Sequence, residues 1–144
     1  MKTIGMMITA VLLAVGAFAN SVDILAKTLY HEARGEGEAG LRAVASVIHN
    51  RAMKRYGNVS GALCASEAKR KLQFSCWNGK RDLPKGKGNA WSLCVKIAAE
   101  MANGKFLPTH GHTHYYAYNK CNPKWASGII GLIVGNHKFL TARG

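Results

Sequence analysis

The sequence predicts a single α+β domain that is mainly helical and carries a small sheet towards its C-terminus. Its 144 residues suit one domain of ordinary size. Three stretches before residue 104 repeat apolar residues at helical spacing, whereas aromatic residues that favour strands concentrate after residue 112. The chain has no internal repeat and no second apolar cluster, so one hydrophobic core is expected.

The first 19 residues have the pattern of a secretory signal peptide. Lys2 supplies positive charge, residues 4–18 are uncharged and mostly apolar, and Ala17-Phe18-Ala19 fits a cleavage site. The apolar run is short for a membrane span, which needs about 20 residues. We therefore expect residues 20–144 to form a domain exported to the periplasm or the exterior. An uncleaved membrane anchor and a buried N-terminal helix are the alternatives.

Helices are predicted over residues 22–34, from Glu38 to about Arg55, and over residues 90–103. The second helix has one apolar stripe that must pack on a neighbour; it is formed by Leu41, Val44, Ala45 and Ile48. Glycines separate the first two helices, and Gly104 stops the third.

The rest of the chain is predicted to be less regular. Residues 61–71 fit a short helix or a loop, residues 73–77 an extended segment, and residues 78–89 an exposed loop rich in Gly, Lys and Arg. Residues 113–118 and 137–140 should form strands, because aromatic and β-branched residues favour a half-buried pleated surface.

Four cysteines all follow residue 19, and an even number in an exported chain indicates disulfides. Pairing between neighbours in sequence predicts the bonds Cys64–Cys76 and Cys94–Cys121, with four reduced thiols as the alternative. The chain has no CxxC pair, so a cysteine zinc site is not expected.

The chain is strongly basic, with 20 Lys and Arg against seven Asp and Glu and a net charge of +13. Many of the basic residues lie between Lys54 and Lys87. Such a surface favours a polyanionic partner. For an exported domain we expect anionic cell-envelope polymers rather than nucleic acid, because peptidoglycan stems carry carboxylates and teichoic acid or lipopolysaccharide carries phosphates. A merely solvated basic face is the alternative.

Glu32 is the candidate catalytic acid. It lies near the end of the first predicted helix, where the partial negative charge of the helix disfavours an ionised carboxylate. Glu36, four residues further on, adds a like charge on the same face. Both effects favour the protonated form that a general acid needs. An exposed helix-end residue paired with Arg34 or Arg51 is the alternative.

Two further groups of residues could carry chemistry. His110, His112 and His114 alternate, so a strand would place their imidazoles on one face, where they could bind zinc for an amidase or peptidase. A plain polar strand edge is the alternative. The aromatic residues fit a sugar-binding cleft or ordinary core packing; they are Trp77, Trp91, Tyr115, Tyr116, Tyr118 and Trp125.

Separated blocks of the sequence resemble, in order, the SleB-type cell-wall hydrolase domain, which includes the spore-cortex lytic enzymes. The match covers nearly everything from about residue 24 to the end. Its main blocks are Leu29-Tyr30-His31-Glu32-Ala33-Arg34-Gly35-Glu36, Ala43 to Arg51, Gln73-Phe74-Ser75-Cys76-Trp77, Thr113-His114-Tyr115-Tyr116, Pro123-Lys124-Trp125-Ala126, and Gly135-Asn136-His137-Lys138-Phe139.

The resemblance implies a lysozyme-like, lytic transglycosylase-like domain that cuts the glycan strands of peptidoglycan without a cofactor. It implies that Glu32, the first glutamate of its motif, is catalytic, and Glu36 is a candidate second carboxylate. It also implies a set of substrate-binding residues, which are Gln73, Ser75, His114, Tyr115 and Tyr116. Only His114 among the three alternating histidines falls on a matching position, so no metal site is expected.

The expected activity is cleavage of the bond between N-acetylmuramic acid and N-acetylglucosamine by a monomeric lytic transglycosylase. A two-carboxylate muramidase that uses Glu36 is the first alternative. A zinc amidase or peptidase and a non-catalytic cationic envelope-binding protein are the others. A phage lysis protein (an endolysin) and a bacterial wall-remodelling enzyme both fit these expectations.

Overall fold

The computed structural model describes residues 2–142 of the chain. Over these residues it contains four α-helices, three short strands and two 3-10 turns. The helices are α1 (Lys2–Ala33), α2 (Gly37–Tyr56), α3 (Gly61–Lys69) and α4 (Gly88–Ala102), and the turns are Ser75–Trp77 and Lys124–Ala126. The strands are β1 (His114–Ala117), β2 (Leu132–Val134) and β3 (His137–Leu140). The predicted mainly helical α+β class is confirmed.

Helix α2 lies at the centre of the molecule. It packs against α1, α3 and α4 and also contacts β1 and β2. Its predicted apolar stripe is fully buried, yet every residue from 43 to 48 is buried as well. The middle of this helix is covered on all sides, whereas both of its ends carry exposed residues, so its buried surface is wider there than one stripe. The small residues Ala43, Ala45 and Ser46 let the neighbouring elements approach closely.

Helix α1 begins much earlier than predicted, because it continues through the segment that resembles a signal peptide. Of its residues 11–20, all whose side chains are described are exposed, and burial begins at Ser21. That exposure does not fit a buried N-terminal helix. Among the described residues, no helix combines the length and the apolar character that a membrane crossing requires. The first 19 residues remain a predicted signal peptide.

A sharp turn separates α1, which carries Glu32 in its last turn, from α2. Gly37 has φ +70°, a backbone conformation that favours glycine, and Glu36 is the N-cap residue of α2. Gly57, in the left-handed conformation with φ 67°, ends α2 close to the predicted end at about Arg55. The predicted boundaries of α2 and α4 are correct to within about two residues.

The sheet is antiparallel, with β3 between β1 and β2. Tyr115 lies opposite Phe139, and their rings stack 5.5 Å apart between centroids. Phe139 is fully buried, so this pair fixes the inner face of the sheet against the helices.

Two local predictions were wrong. Residues 75–77 form a 3-10 turn and not an extended segment, because Phe74 and Trp77 must both enter the core while Ser75 stays exposed. The predicted exposed loop ends at Lys87 rather than Asn89, and its Leu83 is buried.

Neither predicted disulfide is present. All four cysteines lie within the described residues and are free. Cys64 and Cys94 are buried in α3 and α4, whereas Cys121 is exposed. Burial raises the pKa of the Cys64 and Cys94 thiols to about 11, so both behave as small apolar core residues. Neighbours in sequence were thus a poor guide to pairing, because helices carry these thiols into the core instead.

Candidate active site

Glu32 lies in the last turn of α1, where three separate segments converge. Its Oε2 accepts a hydrogen bond of 2.8 Å from the hydroxyl of Tyr115 on β1. Its Oε1 accepts one of 3.3 Å from the backbone N–H of Cys76 in the 3-10 turn. The carboxylate is therefore held by two neutral donors from parts of the chain that are 44 and 83 residues away.

Tyr115 is a reliable donor to Glu32. Burial, and then the charge of Glu32 and the hydrogen bond to it, raise the pKa of Tyr115 well above its usual value. The hydroxyl therefore keeps its proton at neutral pH. The ring is fixed by stacking on Phe139 and by an edge contact with His137 at 5.2 Å.

A cavity of about 260 Å³ opens beside Glu32. We call it the Glu32 cavity. Its walls come from the end of α1, the α1–α2 turn, the segment after β1 and the β2–β3 turn; the lining residues are His31 to Glu36, Ala117, Asn119, Lys120, Asn136 and His137. A concave site lined by half-buried carboxylates and several other polar side chains is the usual form of a catalytic cleft.

Glu36 lies in the same cavity but is engaged on both oxygens. Its Oε2 accepts from the N–H of Asn136 at 3.1 Å, and its Oε1 accepts from Nδ2 of Asn136 at 3.4 Å. Nδ1 of His137 is 3.5 Å from the same Oε1. The Glu36 side chain is only 11% exposed. It therefore ties the start of α2 to the β2–β3 turn.

The acids of the chain differ in their partners. All seven lie within the described residues, and five of them have a Lys or Arg side chain within ion-pair distance there. Glu36 has only the imidazole of His137, which is charged only when protonated. Glu32 has no ion-pair partner among the described residues, and its partners are the neutral Tyr115 and Cys76. Among the described acids, Glu32 alone faces a cavity without an ion-pair partner, so it is the candidate for proton transfer.

The structure separates the other predicted site residues into groups. Gln73 and His114 line a second cavity of about 290 Å³. Tyr116 shares a face of β1 with His114, and both rings contact Trp125. Ser75 is exposed in the 3-10 turn, next to Cys76. Of the predicted substrate-binding residues, only Tyr115 contacts Glu32.

Several residues of the site were not identified from the sequence. Asn136 and His137 complete the Glu32 cavity, and the backbone of Cys76 holds Glu32. The signal for Asn136 and His137 was present in the matching block from Gly135 to Phe139. This block did not indicate what the two residues do, because a single sequence does not show that the turn folds back onto residue 36.

The alternating histidines do not converge on a common point. His110 uses both ring nitrogens within the protein: Nε2 is 2.9 Å from the carbonyl of Ala43, and Nδ1 accepts from the N–H of His112. His114 bonds Thr113 instead. Within residues 2–142, no group of three or more His, Cys, Asp or Glu side chains is arranged to hold a metal ion.

His31 and Asn50 have structural contacts. The Nε2 atom of His31 is 2.9 Å from the carbonyl oxygen of Pro84, and this contact links α1 to the loop of residues 78–87. Asn50 donates from Nδ2 to the carbonyls of His110 and His112, at 2.8 and 2.9 Å. Asn50 therefore positions the segment that leads into β1.

Comparison with known proteins places the chain in a family. Residues 35–140 match the family described as cell wall hydrolase, and this stretch begins three residues after Glu32. No curated protein matches the chain. The catalytic domain of the germination-specific lytic transglycosylase SleB from Bacillus anthracis has a similar structure, with a TM-score of 0.59 and 21% identity over 85% of this chain and 94% of that one. The lysozyme-like fold implied by the sequence is thereby confirmed. The chain belongs to the cell wall hydrolase family and is a cell-wall lytic enzyme.

Proposed function

We propose that the enzyme cleaves the bond between N-acetylmuramic acid and N-acetylglucosamine in peptidoglycan as a lytic transglycosylase, with Glu32 as its single catalytic acid and base. The observation that carries this proposal is the setting of Glu32: one carboxylate without a cationic partner, held by neutral donors at the edge of a cavity. The structurally similar SleB domain is itself described as a lytic transglycosylase.

The proposed reaction needs only one carboxyl group. Protonated Glu32 donates its proton to the glycosidic oxygen as the bond from C1 of the muramic sugar breaks, which leaves an oxocarbenium-like centre at C1. The Glu32 carboxylate then takes the proton from the C6 hydroxyl while that oxygen bonds to C1. The products are a new N-acetylglucosamine end and a 1,6-anhydromuramic end. No water is consumed, and Glu32 returns to its protonated form.

Neighbouring residues would support these steps. The Tyr115 hydroxyl and the N–H of Cys76 fix the two oxygens of Glu32 and so hold the carboxyl group at the edge of the cavity where the sugar is proposed to bind. Gln73 and His114, on the second cavity, are proposed to contact substrate groups beside the cleaved bond. Ser75 and Tyr116 flank these residues and are proposed to extend the binding surface.

The two-carboxylate muramidase is the second candidate, because Glu36 lines the same cavity as Glu32. In that mechanism Glu36 would activate water or attack the sugar. Two bonds to Asn136 and a contact with His137 count against this role, because they tie the largely buried Glu36 side chain to the β2–β3 turn and give it a structural function there.

Mass spectrometry of digested glycan strands tests the proposal. Wild-type enzyme should release fragments with 1,6-anhydromuramic ends, and Glu32→Gln should lose at least about 10³-fold in rate, because the amide cannot donate the proton. Glu38→Gln is the matched control: Glu38 is exposed on α2, and its partner Arg42 keeps its bonds to Glu100. Reducing-end sugars without anhydro ends would show a muramidase instead. Glycan cleavage that survives in Glu32→Gln would show that Glu32 is not the catalytic acid.

We also propose that the enzyme acts outside the cytoplasm after removal of residues 1–19. The signal-like sequence supports export, and the start of burial at Ser21 leaves the core intact after cleavage behind Ala19. N-terminal sequencing of the protein recovered from the periplasm or medium should give Asn20 first. A full-length protein retained in the cytoplasm would contradict this proposal.

The basic surface is proposed to bring the enzyme to its substrate. With a net charge of +13, the chain should associate with anionic envelope polymers through long-range attraction that salt weakens. Binding of wild-type enzyme to whole cell walls should therefore fall as ionic strength rises, whereas retention that does not depend on salt would argue against this role.

A further inference from the structure

The second cavity is lined by cations and by no acid among the described residues. Its lining residues are Arg51, Lys54, Arg55, Gln73, Thr113 and His114, and its volume is about 290 Å³. Three cationic side chains from one face of α2 thus meet the N-terminal end of β1. The space is large enough for a small anionic group and its nearest neighbours.

Arg51 is a fixed cation without an ionic partner. Its Nε donates to the carbonyl of Thr113 at 2.6 Å, and its Nη1 donates to Oε1 of Gln73 at 3.4 Å. The guanidinium also lies 5.2 Å from the centre of the Phe74 ring. Among the described residues, no carboxylate forms an ion pair with it. Burial lowers the pKa of Arg51, because removing the guanidinium from water disfavours its charged form. A bound anion would offset this desolvation cost.

The neighbouring charges leave this cavity positive. Arg55 directs its Nε to Glu67, which is fully buried beneath it, at 2.8 Å. Lys54 is exposed and has no ion-pair partner in the described part of the chain. Burial, and then the charges of Arg51 and Lys54, lower the pKa of His114. The electrostatic potential at this imidazole is therefore positive.

The cavity is close to the catalytic residue along the backbone of β1. His114 lines the second cavity, and the next residue, Tyr115, bonds Glu32. The segment that supplies Gln73 to this cavity also supplies the N–H of Cys76 to Glu32.

Successive side chains of a strand point to opposite faces, so the second cavity lies on the other face of β1 from the Tyr115 ring. Arg51 connects the two sites, because its guanidinium lies 5.2 Å from the centre of the Phe74 ring and that ring lies 6.4 Å from the ring of Tyr115. The second cavity is therefore a neighbouring site that an extended glycan with its stem peptides can reach while it is bound at Glu32.

We propose that the second cavity is an oxyanion site that binds a free carboxylate of the peptide stem carried by the muramic sugar. The inference rests on the proposed action at the muramic–glucosamine bond, because the stem hangs from the sugar whose bond is cut. A carboxylate suits the guanidinium of Arg51 and the ammonium of Lys54, which form charge-assisted hydrogen bonds. The site would make the enzyme prefer glycan that still carries charged stems.

Kinetics on two matched substrates test this site. One is soluble glycan with intact stem peptides, and the other is the same glycan after its free carboxylates have been converted to methylamides. Wild-type enzyme should show a KM about tenfold higher on the amidated chains with little change in kcat, because charge-assisted bonds to the stem are lost.

Variants of the cavity should remove that difference. Lys54→Gln changes an exposed residue and should fold normally, and Arg51→Lys keeps the charge but loses the forked donor geometry. Both should raise KM on the native chains several-fold, by about the factor that one charge-assisted bond provides, and bring the ratio of KM on amidated chains to KM on native chains closer to one. Lys105→Gln, an exposed lysine outside the cavity, is the matched control and should keep the wild-type ratio.

Two results would overturn the proposal. The first is equal KM values of the wild type on native and amidated chains. The second is a substrate ratio in Lys54→Gln and Arg51→Lys that equals the wild-type ratio, which would mean that the stem is bound elsewhere. Strand breaks are counted from all new ends, whether reducing or anhydro. The transglycosylase mechanism can therefore fail in the product analysis without affecting this measurement.

Discussion

Glu32 and Tyr115 form the contact on which the proposed chemistry depends. The hydroxyl donates to Oε2 of Glu32 at 2.8 Å, and the Tyr115 ring is independently fixed by Phe139 and His137. One substitution that removes the hydroxyl and keeps the ring can therefore separate the contribution of the hydrogen bond from that of the packing. Five of the other six acids form ion pairs with Lys or Arg, and Glu36 is bound to Asn136, so the catalytic candidate stands apart in a protein so poor in acids.

Tyr115→Phe should lower kcat by about 10- to 100-fold, because a hydrogen bond to a charged group contributes about 1.5–3 kcal/mol. The melting temperature should change little, since the ring keeps its neighbours. Tyr56→Phe is the control, because Tyr56 is exposed at the end of α2. Unchanged kcat in Tyr115→Phe would show that the hydroxyl does not assist Glu32.

At the scale of elements, the β2–β3 turn is attached to the start of α2 through Glu36. Gly135 in this turn has φ +57°, and a Cβ there would collide with the Glu36 carboxylate. Gly128 has a similar φ of +72°, but a Cβ there would meet open space. Both glycines thus need a left-handed backbone, and only at Gly135 would an added side chain meet Glu36.

Gly135→Ala should destabilise the protein more than Gly128→Ala. Both substitutions strain the backbone by about 1 kcal/mol or more, and only the first also displaces Glu36 from Asn136. Denaturant unfolding of the two variants measures the difference, and strand-cutting rates should fall only in Gly135→Ala. Equal losses in the two variants would mean that the Glu36 contact adds nothing.

A second connection between elements joins α2 to α4. Arg42 donates to Glu100 at 2.7 Å, and this hydrogen bond holds the pKa of Glu100 below its usual value. A carboxyl group with a lowered pKa in the folded state stabilises the protein above its unfolded pKa. That stabilisation is lost as the pH falls through the lower, folded value.

Glu100→Gln should therefore lose stability at pH 7 and show a smaller further loss between pH 5 and pH 3 than the wild type. Melting temperatures across this range measure the effect, with Glu38→Gln as a control for the more exposed ion pair of Arg42. An acid-induced loss as large as that of the wild type would assign the pH dependence to other carboxyl groups.

At the scale of the whole molecule, one core made by α1 to α4 and β3 supports both cavities. The segment before Ser21 contributes little to it, because the described side chains of residues 11–20 are exposed. Residues 20–144 should thus fold and cut glycan without the first 19 residues.

Calorimetry of residues 20–144 should give a melting temperature within a few degrees of the full chain, and strand-cutting rates should agree within about twofold, since surface changes away from the core have small effects. The truncation removes the hydrogen bond of 3.0 Å from the Ser21 hydroxyl to the carbonyl of Ala17, and the part of an apolar groove beside Trp91 that Phe18 and Ala19 line. An unfolded or inactive product would show that this helical extension is part of the domain.

The sequence by itself determined the helical class, the bounds of α2 and α4, and the identity of Glu32 as the acid to test. Helical spacing and glycine stops are local properties, so one chain displays them directly. The order of the matching blocks added the family and its lysozyme-like fold, which the structure and the comparisons confirmed.

Only the tertiary structure decided which groups meet Glu32. It placed Tyr115 and Cys76 on its oxygens, engaged Glu36 with Asn136, and moved Gln73 and His114 to a separate cationic cavity. It also left the four cysteines unpaired, where sequence proximity had suggested two bonds. The physical reason is that these contacts join residues far apart in the chain, and their partners are set by how the helices and the sheet pack rather than by any local pattern.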